Sequence, residues 1–401
     1  MNKRRVKITG IGFVTPAGIG KEDFRRGILE CVSRVVPVKR FEDDSGPFVA
    51  SEVRGFKLGN FVSDPGSKRL PRHTQFALAA TVLALADSGV PLSQMRDYSP
   101  LIVIGTSLMD SDIINRTIEA VARKGPRFGL TRVIYQGPVS SIAGAVIELL
   151  GSGRALSLQS ACCAGTDAIG HAAMMVANGE SDFAICGGTE APIYFHPMLE
   201  LRMAGLSPNT TERPEQLARP FDLWRTTGVI GEGACIMTLE PESSRRPGYA
   251  WLSGYAFASD LGPNPGEGLQ EAIRLCLGNG ALRACDVEHI SAWGPGHRVI
   301  DAVEAKVLQN VFGEGLKRIP VTSIKGAIGN PFGAAGAIQA GCAALGMKEG
   351  FIPPTVNWLN PDPSCPLNLS ASPRFLSMSS ALIDAHGLSG TNSSLLLQQC
   401  N

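Results

Sequence analysis

The sequence predicts an α/β fold with parallel or mixed sheets, and three observations carry that expectation. Short β-branched runs alternate with helix-period stretches along the chain. Glycine supplies 46 of the 401 residues and marks the places where the chain turns. Hydrophobic residues make up 44 % and charged residues only 18 %, a balance that demands extensive burial.

The elements follow in order. VKITGIGFV (6–14) reads as a buried strand that turns at Pro16. Basic residues precede it as in a secretory signal, but Gly10, Gly12 and Pro16 break the apolar stretch, so a strand and a turn are expected. HTQFALAATVLALADSGV (73–90) has helical periodicity and closes at Gly89. LIVIGTS (101–107), FAICGG (183–188) and ACIMTLE (234–240) read as further strands. RVIDAVEAKVLQNVFG (298–313) is a second helix, closed by Gly313. The apolar run Phe332–Met347 is too short and too rich in small residues to span a membrane, and Gln339 interrupts it; a buried helix is expected. The polar segment PESSRRPGYA (241–250) is the clearest break, dividing the chain into 1–245 and 246–401.

Composition excludes several function classes. A formal charge of +1 lacks the basic excess of a nucleic-acid binder. Ten cysteines occur without a CxxC pair and mostly within apolar runs, which fits buried free thiols in a reducing compartment. A cytoplasmic protein without a membrane span is expected.

The sharpest local feature is LSLQSACCAGTDAIGHAAMMVANG (156–179). An apolar strand runs into Ser160-Ala161-Cys162, and a helix rich in small residues follows at once. Cys162 is thereby placed at a helix N-terminus, beside unpaired N–H groups and the positive end of the dipole, a setting that favours the nucleophilic thiolate. The plainer alternative is that Cys162 and Cys163 simply fill a core.

The run Ser160-Ala-Cys-Cys-Ala-Gly-Thr-Asp-Ala-Ile-Gly-His-Ala172 resembles the nucleophile elbow of the β-ketoacyl-acyl-carrier-protein synthases, with the motif's cysteine falling on Cys162. The resemblance extends through Gly10–Gly18, Gly187–Glu190, Arg219–Asp222, Gly231–Ala234, Asp301, Glu304, Phe312-Gly313, Lys325, Gly329, Gly333–Gly336 and Gly390–Asn392. It implies a thiolase-like αβαβα layered sandwich of two related halves, usually dimeric. It also implies an acyl carrier protein as partner and no resident cofactor, since phosphopantetheine arrives on the carrier.

The sequence departs from that family at the site itself. Two histidines commonly stabilise the enolate formed when malonyl-carrier protein loses carbon dioxide; here their positions hold Trp293 and Asn330. Both replacements own N–H donors; the plainer alternative for Trp293 is a packing residue. His386 and Leu388 stand where the family's closing motif has phenylalanines. The resemblance puts the Leu388 N–H beside that of Cys162 in an oxyanion hole, and His386 close to the cysteine, where an imidazole has two uses: deprotonating the thiol or donating to the enolate. His297 replaces a threonine that touches pantetheine. Lys325 and Glu304 are implied to order the site. Gly228 replaces a phenylalanine and is expected to open volume for the acyl group. Lys68, Arg69 and Arg72 match the region where the family meets its carrier protein, with a solvated face as the alternative.

Three readings result. The first is a condensing acyltransferase of fatty acid or polyketide synthesis with Cys162 as acyl carrier. The second is a non-condensing partner resembling a chain-length factor in a heterodimeric synthase. The third is acyl transfer or hydrolysis without decarboxylation. Self-pairing and pairing with another ketosynthase-like chain both remain open.

Overall fold

The computed structural model describes residues 4–40, 46–63, 70–108, 110–261 and 265–400. The first part of the chain supplies β1 (Val6–Thr15), α1 (Arg72–Asp87), β2 (Leu101–Gly105), α2 (Ser140–Leu150), β3 (Arg154–Leu158), α3 (Ala164–Ala177), β4 (Ala184–Glu190) and β5 (Gly233–Pro241). The second part supplies β6 (Ala250–Ser259), α4 (Glu267–Asn279), β7 (Ile290–Ser291), α5 (Arg298–Phe312), β8 (Val321–Thr322), α6 (Ala335–Glu349), β9 (Ser380–His386) and β10 (Thr391–Gln399). The strands read from sequence as continuous apolar runs are those buried on both faces: every residue of β1, β2, β4 and β5 is buried.

The two parts repeat one topology. From the centre outward the first sheet runs β1, β5, β4, β2, β3, and the second β6, β10, β9, β7, β8. In both, the two inner junctions are antiparallel and the two outer ones parallel. The sheets join where Val6 and Lys7 of β1 pair with Leu252 and Trp251 of β6.

Helices α3 and α6 pack on each other between the two sheets, in the largest apolar core. A second core lies under α1 and α2, and a third under α4 and α5. The result is the five-layer αβαβα sandwich. Close approach of the middle helices requires glycine: a Cβ on Gly336 would lie 1.8 Å from Thr166 Oγ1, and one on Gly165 2.6 Å from the Gly333 carbonyl.

Each middle helix starts in the same way. Ala161 (φ +50°) opens the tight turn Ala161–Cys163 before α3, and Phe332 (φ +39°) opens Phe332–Ala334 before α6. Positive φ is uncommon for residues with a Cβ, so both turns hold their backbone against its preference. Among the described residues, no single helix is long and apolar enough to cross a membrane.

Candidate active site

The turn between β3 and α3 fixes Cys162 at the floor of a narrow cavity. Trp293, Asn330, His386 and Leu388 line it too, together with Gly228, Pro295, His297 and Phe332. Five of the seven residues singled out as the site therefore share one wall-to-wall space. About 20 Å³ of room remains, enough for a water or two, so an acyl chain enters only if this wall moves.

Cys162 is 5 % exposed, and burial pushes its thiol up to about 12. The Glu190 carboxylate adds to that shift, whereas Lys325 and the N–H groups of Leu388 and Cys162 itself oppose it. The expected thiolate is thus overturned: the helix start and its N–H groups do not outweigh desolvation, and the resting residue keeps its proton at neutral pH. Cys163 faces the other way, its Sγ 3.4 Å from the carbonyl oxygens of Ala385 and Thr391.

Trp293 is 2 % exposed and clamped at its backbone. Its N–H donates to Glu304 Oε1 (2.6 Å) and Asp384 Oδ1 (2.8 Å), while Lys325 Nζ donates to its carbonyl oxygen. The Gly294 N–H also reaches Glu304, at 2.8 Å. Burial pushes the Lys325 amine down to about 8, against the pull of Glu304 and Asp384. Burial, then the Asp384 charge, raises the Glu304 carboxyl well above its ordinary range. Lys325 and Glu304 thus hold the strand end that carries Trp293, as expected of ordering residues. The lone glutamine of α6 is explained here: Gln339 donates to the carbonyls of Ser291 and Ala292 at 2.9 Å and accepts from Lys325 Nζ at 3.2 Å.

Asn330 Oδ1 accepts the Phe332 N–H at 3.3 Å, which leaves its amide N–H₂ as the donor available to the cavity. His386 Nδ1 lies 2.5 Å from Asn392 Oδ1. His297 caps α5: its Nδ1 accepts from Val299 and Ile300 N–H at 3.3 and 3.4 Å. Histidine is outside the usual N-cap set, so sequence gave no signal for that role.

Two expectations are corrected. Gly228 lines the cavity but opens no large space, because Pro295 fills it: a Cβ on Gly228 would meet the Pro295 carbonyl oxygen at 3.0 Å. Arg72 is not a free docking cation. Its guanidinium donates to both oxygens of the fully buried Glu232, at 2.8 and 2.6 Å, and to the Val53 carbonyl at 2.8 Å. Lys68 and Arg69 lie outside the described residues.

Sequence reasoning also assigned no role to Glu190. Its buried carboxylate accepts from the Ser107 N–H (2.7 Å), Thr106 Oγ1 (3.1 Å) and the Gly333 N–H (3.2 Å), so it ties β2 to the turn before α6. Burial raises it to about 7.

A thiolase-like sandwich with a cysteine at the start of a central helix defines an acyl-transferring enzyme of the condensing type. Residues 3–245 match the β-ketoacyl synthase N-terminal domain and residues 249–359 its C-terminal domain, and the chain belongs to the β-ketoacyl synthase family. It is 30 % identical to 3-oxoacyl-[acyl-carrier-protein] synthase 2 of Coxiella burnetii, over 100 % of this chain and 99 % of that one. Among solved structures it resembles the ishigamide ketosynthase/chain length factor (TM-score 0.93, 26 % identity, 100 % of both chains). It also resembles a chain of the structure described as a type II polyketide synthase acyl-carrier protein in complex with its ketosynthase bound to the hexaketide (TM-score 0.91, 26 % identity, 100 % of both chains).

Proposed function

We propose that the chain takes an acyl group from a carrier-protein thioester onto Cys162 and passes it to a second carrier-bound nucleophile, with decarboxylation of a malonyl unit slowed or altered. The observation that carries this reading is the convergence of the Cys162 and Leu388 N–H groups on Cys162 Sγ. Two backbone donors beside the sulfur are the groups that an oxyanion hole for the tetrahedral intermediate of thioester exchange requires. The site draws on both proposed halves: Cys162 comes from 1–245, and Trp293, Lys325, Asn330 and His386 from 246–401.

The decarboxylation half has weaker support. Asn330 offers one N–H₂ donor to an enolate, and Trp293 fills the second position with a buried ring fixed by Lys325 and Glu304. Losing a single donor from such a hole costs on the order of 10²–10³ in rate. That same filling favours a second reading, a partner subunit resembling a chain-length factor, against which the retained Cys162 speaks.

For either reading the second chain is a copy of this one or another ketosynthase-like chain. Strand β3 is an edge strand, paired among the described residues with β2 alone, and Leu156 on it is 47 % exposed. Incubation with octanoyl-carrier protein followed by intact-mass analysis tests the reading. An octanoyl adduct on Cys162 that malonyl-carrier protein discharges as a β-ketoacyl product supports condensation. No adduct would favour the partner subunit.

A further inference from the structure

We infer that His386 is the general base for Cys162, held in its proton-accepting form by Asn392, which Asp260 orients in turn. The inference rests on Cys162 being the acyl carrier and adds the group that moves its proton.

The tautomer follows from the hydrogen-bond network. His386 and Asn392 face each other across the last rung of the β9–β10 ladder. Asn392 is 1 % exposed, and its Nδ2 donates to Asp260 Oδ1 at 3.2 Å and to the Gly390 carbonyl at 3.1 Å. Both partners are pure acceptors, so the amide cannot be turned round, and Oδ1 faces the imidazole. Only an N–H can meet that oxygen at 2.5 Å, so Nδ1 bears the hydrogen and Nε2 keeps its lone pair. Asp260 is itself pinned, its Oδ1 accepting the Gly266 and Gly268 N–H groups at 3.1 and 2.8 Å.

The backbone then brings the segment that carries His386 against the turn that carries Cys162. Residues flanking Cys162 are tied to residues flanking His386. Cys163 Sγ contacts the Ala385 carbonyl, Thr391 Oγ1 donates to the Ser160 carbonyl at 3.3 Å, and a Cβ on Gly387 would stand 3.2 Å from that of Ala161. Both side chains line the same cavity. The other histidine there is excluded as a base. Because His297 Nδ1 accepts two helix N–H groups, its hydrogen sits on Nε2 in the neutral ring. The charged and titratable groups around the pair are Glu190 and Lys325, which act on Cys162, the adjacent Cys163 thiol, His297 across the cavity, and Asp260 behind Asn392.

Burial leaves Cys162 with its proton, so thioester exchange needs an acceptor for it. In the step inferred, Nε2 takes the proton as Sγ attacks the carrier thioester. The resulting imidazolium returns it to the pantetheine sulfur as that C–S bond breaks. No electron or atom is left over. The arrangement is a cysteine–histidine–asparagine constellation, in which the third residue orients the base.

The test measures single-turnover acylation of Cys162 with octanoyl-N-acetylcysteamine by intact mass. His386→Phe should slow it by roughly 10²–10⁴, the usual range for one acid–base residue. His386→Ala should recover part of the rate when imidazole is added. Asn392→Ala should lose roughly tenfold in rate with KM little changed, since it disturbs only the proportion of the competent tautomer. With ¹⁵N-labelled histidine, the His386 ring should show the Nδ1–H form in the wild type and a mixture in Asn392→Ala, a signature that packing alone does not give. Equal acylation of wild type and His386→Phe, or an Nε2–H ring in the wild type, overturns the inference while leaving the acyl-carrier reading intact. A wild type that forms no adduct overturns both.

Discussion

The ammonium of Lys325 stands 3.8 Å from the centre of the Trp293 ring, while the same nitrogen donates to the Trp293 backbone oxygen. A buried cation over an indole face is attractive, on the order of 2 kcal/mol when desolvated. The ring that occupies a family histidine's place is therefore fastened at face and backbone alike.

Restoring both enolate donors should reverse that condition. The double variant Trp293→His/Asn330→His should release carbon dioxide from malonyl-carrier protein roughly 10²-fold faster or more than the wild type. Radiolabelled malonyl turnover checks it; equal rates would mean that the two replacements are functionally silent.

The adjacent cysteines should separate cleanly. Cys162→Ala should abolish acyl loading, whereas Cys163→Ala should keep most of it, because Cys163 turns towards the Ala385 and Thr391 carbonyls and away from the cavity. Intact-mass loading of the two variants decides. Loss of loading in Cys163→Ala alone would place the nucleophile one residue on.

Arg72 should prove a stability residue. Arg72→Ala leaves Glu232 buried, with Arg40 at 3.5 Å as its remaining cation, and should cost about 3 kcal/mol, at the low end for a broken buried pair. Affinity of the folded variant for carrier protein should be unchanged. Urea titration and a binding isotherm measure the two separately; a lowered affinity at full stability would restore Arg72 to a docking role.

Glu190 should give stability a pH slope. Its folded value is raised to about 7 from 4.5, so the protonated carboxyl favours the fold. That contribution is complete below about pH 4.5 and is lost as pH rises through 7, roughly 3 kcal/mol in all. Glu190→Gln should flatten the decline in urea midpoint between pH 5 and 8 relative to the wild type. Parallel curves for the two proteins would show that the carboxyl is already ionised at pH 5.

Much of this was legible in the residues, for definite reasons. The strand-to-helix passage around Cys162 is local, and the apolar strands and the helix closed by Gly313 each declare themselves within a few turns of chain. The joint placement of Cys162, Trp293, Asn330, His386 and Leu388 came from ordered motif matches. What stayed hidden depends on distant partners. Glu232 lies 160 positions from Arg72, and Pro295 closes on Gly228 from another segment. Asn392 acquires its meaning only when β10 pairs with β9 and presents an amide to His386. The thiolate expectation failed because helix-terminal position is readable in sequence, whereas depth of burial is not.

The two elbows, Ala161–Cys163 and Phe332–Ala334, are the same joint built twice, and only one is armed. The residue after the strained position is Cys162 in the first and Gly333 in the second. Any side chain at Gly333 would drive its Cβ to 2.4 Å from the Ser107 nitrogen and 2.9 Å from Glu190 Oε2. The second joint is thus closed to a side chain by the Ser107 backbone and by the Glu190 carboxylate that steadies that same joint. An architecture with internal twofold likeness is made chemically one-sided, with one half furnishing the reactive sulfur and its mirror image serving as the anvil.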